Sequence, residues 1–134
     1  MSWDFFKDEM VSPSKPNDNG DVKPVKDIIP NEIDYSLFKE LDVRIGTIIS
    51  ANKFEEARNP SYKLKINFGK YGVLRSSAQI TKLYKPQNLI NKQIVAVINL
   101  GSRKIANYES ECLILGALDK ENVFLLNIWP LFSF

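Results

Sequence analysis

Between residues 41 and 128 the hydrophobic positions repeat mainly with the period of a strand. Tyr62-Lys-Leu-Lys-Ile-Asn-Phe68 alternates most cleanly: Tyr62, Leu64, Ile66 and Phe68 fall on one face, and Lys63, Lys65 and Asn67 on the other. Upstream, residues 41–54 are rich in Val, Ile and Thr, with Gly46 placed where a bulge or sharp bend would ease coiling. Gly69-Lys-Tyr-Gly72 predicts a turn into a third strand over 73–79. Residues 80–92 read as a loop with a short helical turn broken by Pro86. The segments 93–100 and 111–118 are apolar on both faces, as central barrel strands are, and 122–128 supplies a further strand. Ahead of them, Leu37, Phe38 and Leu41 predict a short helix with these three residues inward. Short strands with one helical interruption before the fourth predict an all-β fold: a five-stranded oligonucleotide-binding (OB) barrel with a short N-terminal helix and an extra C-terminal strand.

Residues 1–32 break this pattern. They hold four of the seven prolines and the run Ser12-Pro-Ser-Lys-Pro-Asn-Asp-Asn-Gly20, with few apolar groups to offset the entropy of ordering. A disordered acidic tail over 1–32 and one domain over 33–134 follow. Trp3, Phe6 and Met10 share a helical face and could form a short docking helix within that tail.

Charge sharpens the division. Residues 1–32 carry four Lys against seven acidic residues, and residues 33–134 carry fourteen Lys and Arg against nine acidic ones. From Ala57 to Tyr108 there are 52 residues without Asp or Glu, yet ten Lys and Arg. Tyr62, Phe68, Tyr71, Tyr84 and Tyr108 are interleaved with them. Cations that neutralise phosphates, together with rings that stack on bases, make a nucleic-acid surface; a solvated basic face over core aromatics is the competing reading.

The chain has no histidine, which removes the commonest general base, the commonest transition-metal ligand and every Ser-His or Cys-His pair. The lone Cys112 excludes an internal disulfide and lies in an apolar run, as a buried, inert thiol does. Glu55-Glu56 and Glu109-x-Glu111 are the close acidic pairs, and both read as surface charge. A non-catalytic protein with no cofactor and no metal is expected. No apolar run reaches the roughly 18 residues that span a membrane, and the N-terminus lacks a signal-peptide pattern, so a cytoplasmic location is expected.

Five blocks then fall in order. Asp42-Val-Arg-Ile-Gly-Thr-Ile48, Glu56-Ala-Arg-Asn-Pro-Ser-Tyr-Lys-Leu64, Arg75-Ser-Ser-Ala-Gln-Ile-Thr81, Asn99-Leu-Gly-Ser-Arg-Lys-Ile105 and Ser110-Glu-Cys-Leu-Ile-Leu-Gly-Ala117 together resemble the EMAP-type tRNA-binding domain family. The Ser-Ser-Ala-Gln-Ile-Thr segment and the Asn-Pro-Ser-Tyr insertion resemble its stand-alone CsaA-like branch. That resemblance implies tRNA as a partner, a further role as an export-related chaperone for unfolded or presequence polypeptides, and a homodimer. The end Trp129-Pro-Leu-Phe-Ser-Phe134 departs from the proline-containing tail of that branch, but is apolar enough to seek a partner surface itself.

On the residues themselves, Lys63 and Lys65 stand about 7 Å apart along a strand, near the spacing of successive phosphates. Arg75, Ser77 and Gln79 share a strand face by alternation and offer a cation and compact hydrogen-bonding groups; Ser76 points the other way, to be buried or bonded locally. In the fourth block Asn99 leads into a loop where Gly101 permits close backbone approach, and Arg103 and Lys104 at its rim are the first choice for phosphate contact. Ser110 and Glu111 open the next strand and complete the nucleic-acid-binding set. A carboxylate is an odd phosphate partner, so Glu111 is expected to anchor the loop, orient Arg103 or Lys104, or accept from a base amine. Asn91 and Asn107 stand where relatives often have glycine, and both are expected to adopt left-handed turns.

Overall fold

The computed structural model describes residues 31–128. The tail over 1–30, with its Trp3-Phe6-Met10 face, and the apolar end 129–134 lie outside the described residues. The chain enters through helix α1 (Tyr35–Lys39), whose N-cap Asp34 accepts from the Ser36 N–H at 3.0 Å. Leu37 and Phe38 are 61% and 57% exposed, which corrects the inward assignment. The helical residue that joins the core is instead Leu89, fully buried on α2 (Pro86–Leu89). Pro86 does not break that helical turn; it starts it, where a missing N–H costs nothing.

Five strands build the barrel: β1 (Val43–Lys53), β2 (Tyr62–Asn67), β3 (Val73–Ala78), β4 (Gln93–Val97) and, after the hairpin of β5 (Arg103–Ile105) and β6 (Tyr108–Ser110), β7 (Leu113–Ile114). Their order is β3-β2-β1-β4-β7, with every pairing antiparallel. The edges nearly meet: the Glu111 N–H donates to the Arg75 carbonyl at 2.7 Å, and Ser76 Oγ donates to the Cys112 carbonyl at 3.0 Å. A second hairpin, β8 (Gly116–Asp119) with β9 (Asn122–Leu125), leads to an isolated rung between Asn127 and Ile94, so the expected extra C-terminal strand is present in short pieces. The predicted strand over 111–118 is divided at Leu115, whose N–H donates to Val95 between β7 and β8.

The alternation of β2 is realised: Tyr62, Leu64 and Ile66 are buried and Lys65 is exposed. Gly46 does not form a bulge. It pairs in register with Ile94, and the bulge lies at the exposed Ile49, between Ile48 and Ser50. A Cβ at Gly46 would stand 2.5 Å from Ile66 Cγ2 and 2.6 Å from the Phe68 ring, so glycine is there for close packing. The predicted turn forms as a 3-10 turn, Gly69–Tyr71, with φ of +65° at Gly69 and +85° at Gly72. Asn91 has a φ of +69° as expected, whereas in the β5–β6 turn the positive φ falls on Ala106 and not on Asn107.

Ile48, Leu64, Ile66, Ile80, Leu89, Ile94 and Ile114 form the centre of the core, each contributing about 1.5–3 kcal/mol by burial. Cys112 sits among them, and burial pushes its thiol up to about 12. Tyr62 and Phe68, two of the rings interleaved with the basic run, are also buried, and the Tyr62 hydroxyl donates to the Tyr84 carbonyl at 2.7 Å. These rings are core and cannot stack on bases.

Candidate nucleic-acid interface

The outer face of β2 and β3 sets Lys65 directly opposite Arg75 and Lys63 opposite Ser77. Like charges in register repel each other, at a cost of about 0.2–1 kcal/mol that nearby counter-charge reduces. Neighbouring elements supply it. Arg75 is 3.4 Å from Glu111 and 3.6 Å from Glu109, and Lys63 is 3.6 Å from Glu56. Acidic residues missing from the basic run in sequence therefore reach it from both of its ends. Lys63 Nζ also lies 4.7 Å from the Phe54 ring centre and 5.2 Å from that of Tyr108, two rings packed edge to face at 5.5 Å. The Tyr108 hydroxyl donates to the Leu64 carbonyl at 3.1 Å, which ties the ring to β2.

Glu111 orients neither Arg103 nor Lys104. Its carboxylate accepts the Arg75 N–H at 2.8 Å, and that backbone bond, helped by the Arg75 guanidinium, lowers its pKa below the ordinary 4.5. It fastens β3 to the chain between β6 and β7.

Ser110 is fully buried, with its Oγ accepting from the Ser77 N–H at 3.2 Å and donating to the Cys112 carbonyl at 3.4 Å. Ser76 is buried and bonded as anticipated, but Ser77 is buried too, because the β6 end closes over it. Asn99 accepts the Asp42 N–H at 2.8 Å and donates to the Glu40 carbonyl at 2.7 Å. Of the predicted set, Asn99, Ser110 and Glu111 thus use their side chains for structural hydrogen bonds in the fold.

Arg103 and Lys104 are different. They stand exposed on β5, and among the described residues neither has an ion-pair partner. The hairpin brings them, with Ser77 and Gln79, to a groove of about 220 Å³ that also takes in Arg58 and Asn59. Arg58 escaped the assignment because it lies in an irregular Asn-Pro turn with no periodicity to give it a face. A second cluster was also not foreseen: the Arg44 guanidinium sits 4.5 Å from the ring centre of the exposed Tyr71, and Lys70 Nζ is 5.1 Å from it. Arg44 precedes the acid-free run and is itself paired with Asp42, so charge counting passed it over.

Residues 43–129 match the family described as "Putative tRNA binding domain". The chain belongs to this tRNA-binding domain family. As such a domain it is 36% identical over 109 residues to the methionine–tRNA ligase of Pyrococcus horikoshii, a match covering 79% of this chain and 15% of that enzyme. The tRNA-binding domain thus spans about one-seventh of the length of the curated relatives it matches. Among solved structures, the CsaA chaperone protein of Picrophilus torridus is 47% identical with a TM-score of 0.69, covering 76% of this chain and 94% of that one. The chaperone CsaA of Bacillus anthracis is 43% identical with a TM-score of 0.69, covering 78% and 94%. No helix among the described residues of this tRNA-binding domain protein is long and apolar enough to cross a membrane, and no group of three or more acidic or cysteine side chains there is placed to hold a metal.

Proposed function

We propose that this chain is a non-catalytic cytoplasmic protein that binds tRNA by backbone and shape. The observation that carries this reading is the β5 rim, where Arg103 and Lys104 stand exposed with no ion-pair partner among the described residues, Glu109 opposite Lys104 being turned to Arg75. Cations already paired to carboxylates gain little from a phosphate, whereas exposed unpaired ones release counterions on binding. Lys65 on the sheet face extends the track. A chain without histidine has few routes to catalysis, and the family supports binding rather than turnover.

Titration of tRNA with wild type and Arg103→Ala/Lys104→Ala at several salt concentrations tests this. The double variant binds many tRNAs more weakly by a similar factor, and the slope of log affinity against log salt falls by about 1 for each phosphate that is no longer neutralised. Equal affinity for both proteins overturns the reading.

A polypeptide-holding role is the second reading, supported by the similarity to CsaA chaperones. The exposed apolar residues Val43, Ile45 and Leu126 supply a surface for it, and one on which two copies of the chain could pair as a homodimer. Capture of an unfolded protein that persists at high salt supports it, since apolar contacts are not screened as phosphate contacts are.

A further inference from the structure

The cations of this domain fall into two populations. Arg44, Lys63, Arg75 and Lys82 are each paired with a carboxylate. Among the described residues, the other ten Lys and Arg have no such pairing, and three of them, Arg58, Arg103 and Lys104, come together along the 220 Å³ groove. No carboxylate lines it. The remaining polar lining includes the primary amides of Asn59 and Gln79, with Ser77 at its buried floor. Primary amides present donors and an acceptor side by side, the pattern that reads a base edge, while the cations suit a phosphate. At about 220 Å³ the groove is far too small for a stretch of duplex and can seat at most one unit of a strand. Three separate segments build it: the loop between β1 and β2, the end of β3, and β5.

We propose that this groove holds a single unstacked nucleotide of the bound RNA, its phosphate on Arg58 and the cationic rim of β5 and its base edge against Gln79 and Asn59. The assignment rests on the RNA-binding reading above and adds selectivity to it, because the Watson–Crick edge of a paired base in an A-form helix is already bonded to its partner. The protein therefore distinguishes RNA with a single-stranded end or loop from uninterrupted duplex.

Two measurements on the full chain test it. First, affinities are compared for a blunt RNA hairpin and for the same hairpin with a single-stranded 3′ overhang. The overhang tightens wild-type binding about tenfold, the effect of one well-held base, and Arg58→Ala and Gln79→Ala each bring the ratio of the two affinities close to one. A wild-type ratio near one, or a ratio that survives both substitutions, overturns the proposal. Second, AMP is titrated while backbone amide resonances are followed. Shifts concentrated at Arg58, Gln79 and Lys104 support the site; shifts elsewhere, or stronger shifts at the same amides from an acidic peptide, overturn it. If AMP seats in the groove but neither hairpin binds, the RNA reading fails and the nucleotide site stands.

Discussion

The side-chain amide of Asn99 bonds two backbone groups 57 and 59 positions away, the Asp42 N–H and the Glu40 carbonyl, and so joins the exit of β4 to the entrance of β1. Its place beside Gly101, Arg103 and Lys104 in the sequence reads equally well as a ligand contact, and only the fold shows what its amide bonds. Replacing it with alanine should cost about 1 kcal/mol, the worth of an ordinary hydrogen bond, read as a lower urea midpoint. The accompanying loss of tRNA affinity should be smaller than that of Lys104→Ala; the reverse ranking would show that Asn99 itself touches RNA. Ser110 gives the same lesson. Small hydroxyl residues are as useful for satisfying a buried backbone as for meeting a ribose, and residue type alone does not separate the two uses.

At the scale of elements, the second strand was readable because its alternation is strict, and a one-residue slip would bury Lys63 and Lys65. The first strand was readable in kind but not in detail. Gly46 and Ile49 are both plausible places to coil a long strand, and the choice depends on Phe68, which packs against Gly46 from another part of the chain. Gly46→Ala should therefore destabilise the protein by about 1–3 kcal/mol, the range for overpacking, as judged by chemical denaturation. A stability within experimental error of wild type would mean that Ile66 and Phe68 can shift aside. The helix at the entrance was visible in its apolar residues, yet its exposure was not, since an apolar residue's spacing does not say whether the barrel packs against it.

On the scale of the whole molecule, the barrel is nearly closed by groups that meet only in three dimensions, with Glu111 bonded to the Arg75 N–H at their centre. That bond lowers the carboxyl pKa on folding, so its contribution to stability is present above the ordinary value of 4.5 and is lost as pH falls through the lower folded value. Denaturation midpoints measured from neutral pH downward should fall more steeply for wild type than for Glu111→Gln below about pH 4.5. Parallel curves would place the acid sensitivity elsewhere. The ordered blocks and strand periodicity were enough to fix the fold and family, because backbone alternation and turn chemistry are local properties that the chain carries with it. The basic run and its tendency toward polyanions were equally legible, because charge is counted residue by residue. Which cations remain available was decided only by the tertiary structure. Coulomb interactions act through space, and folding brought Glu56, Glu109 and Glu111 to Lys63 and Arg75 while leaving Arg58, Arg103 and Lys104 around one groove.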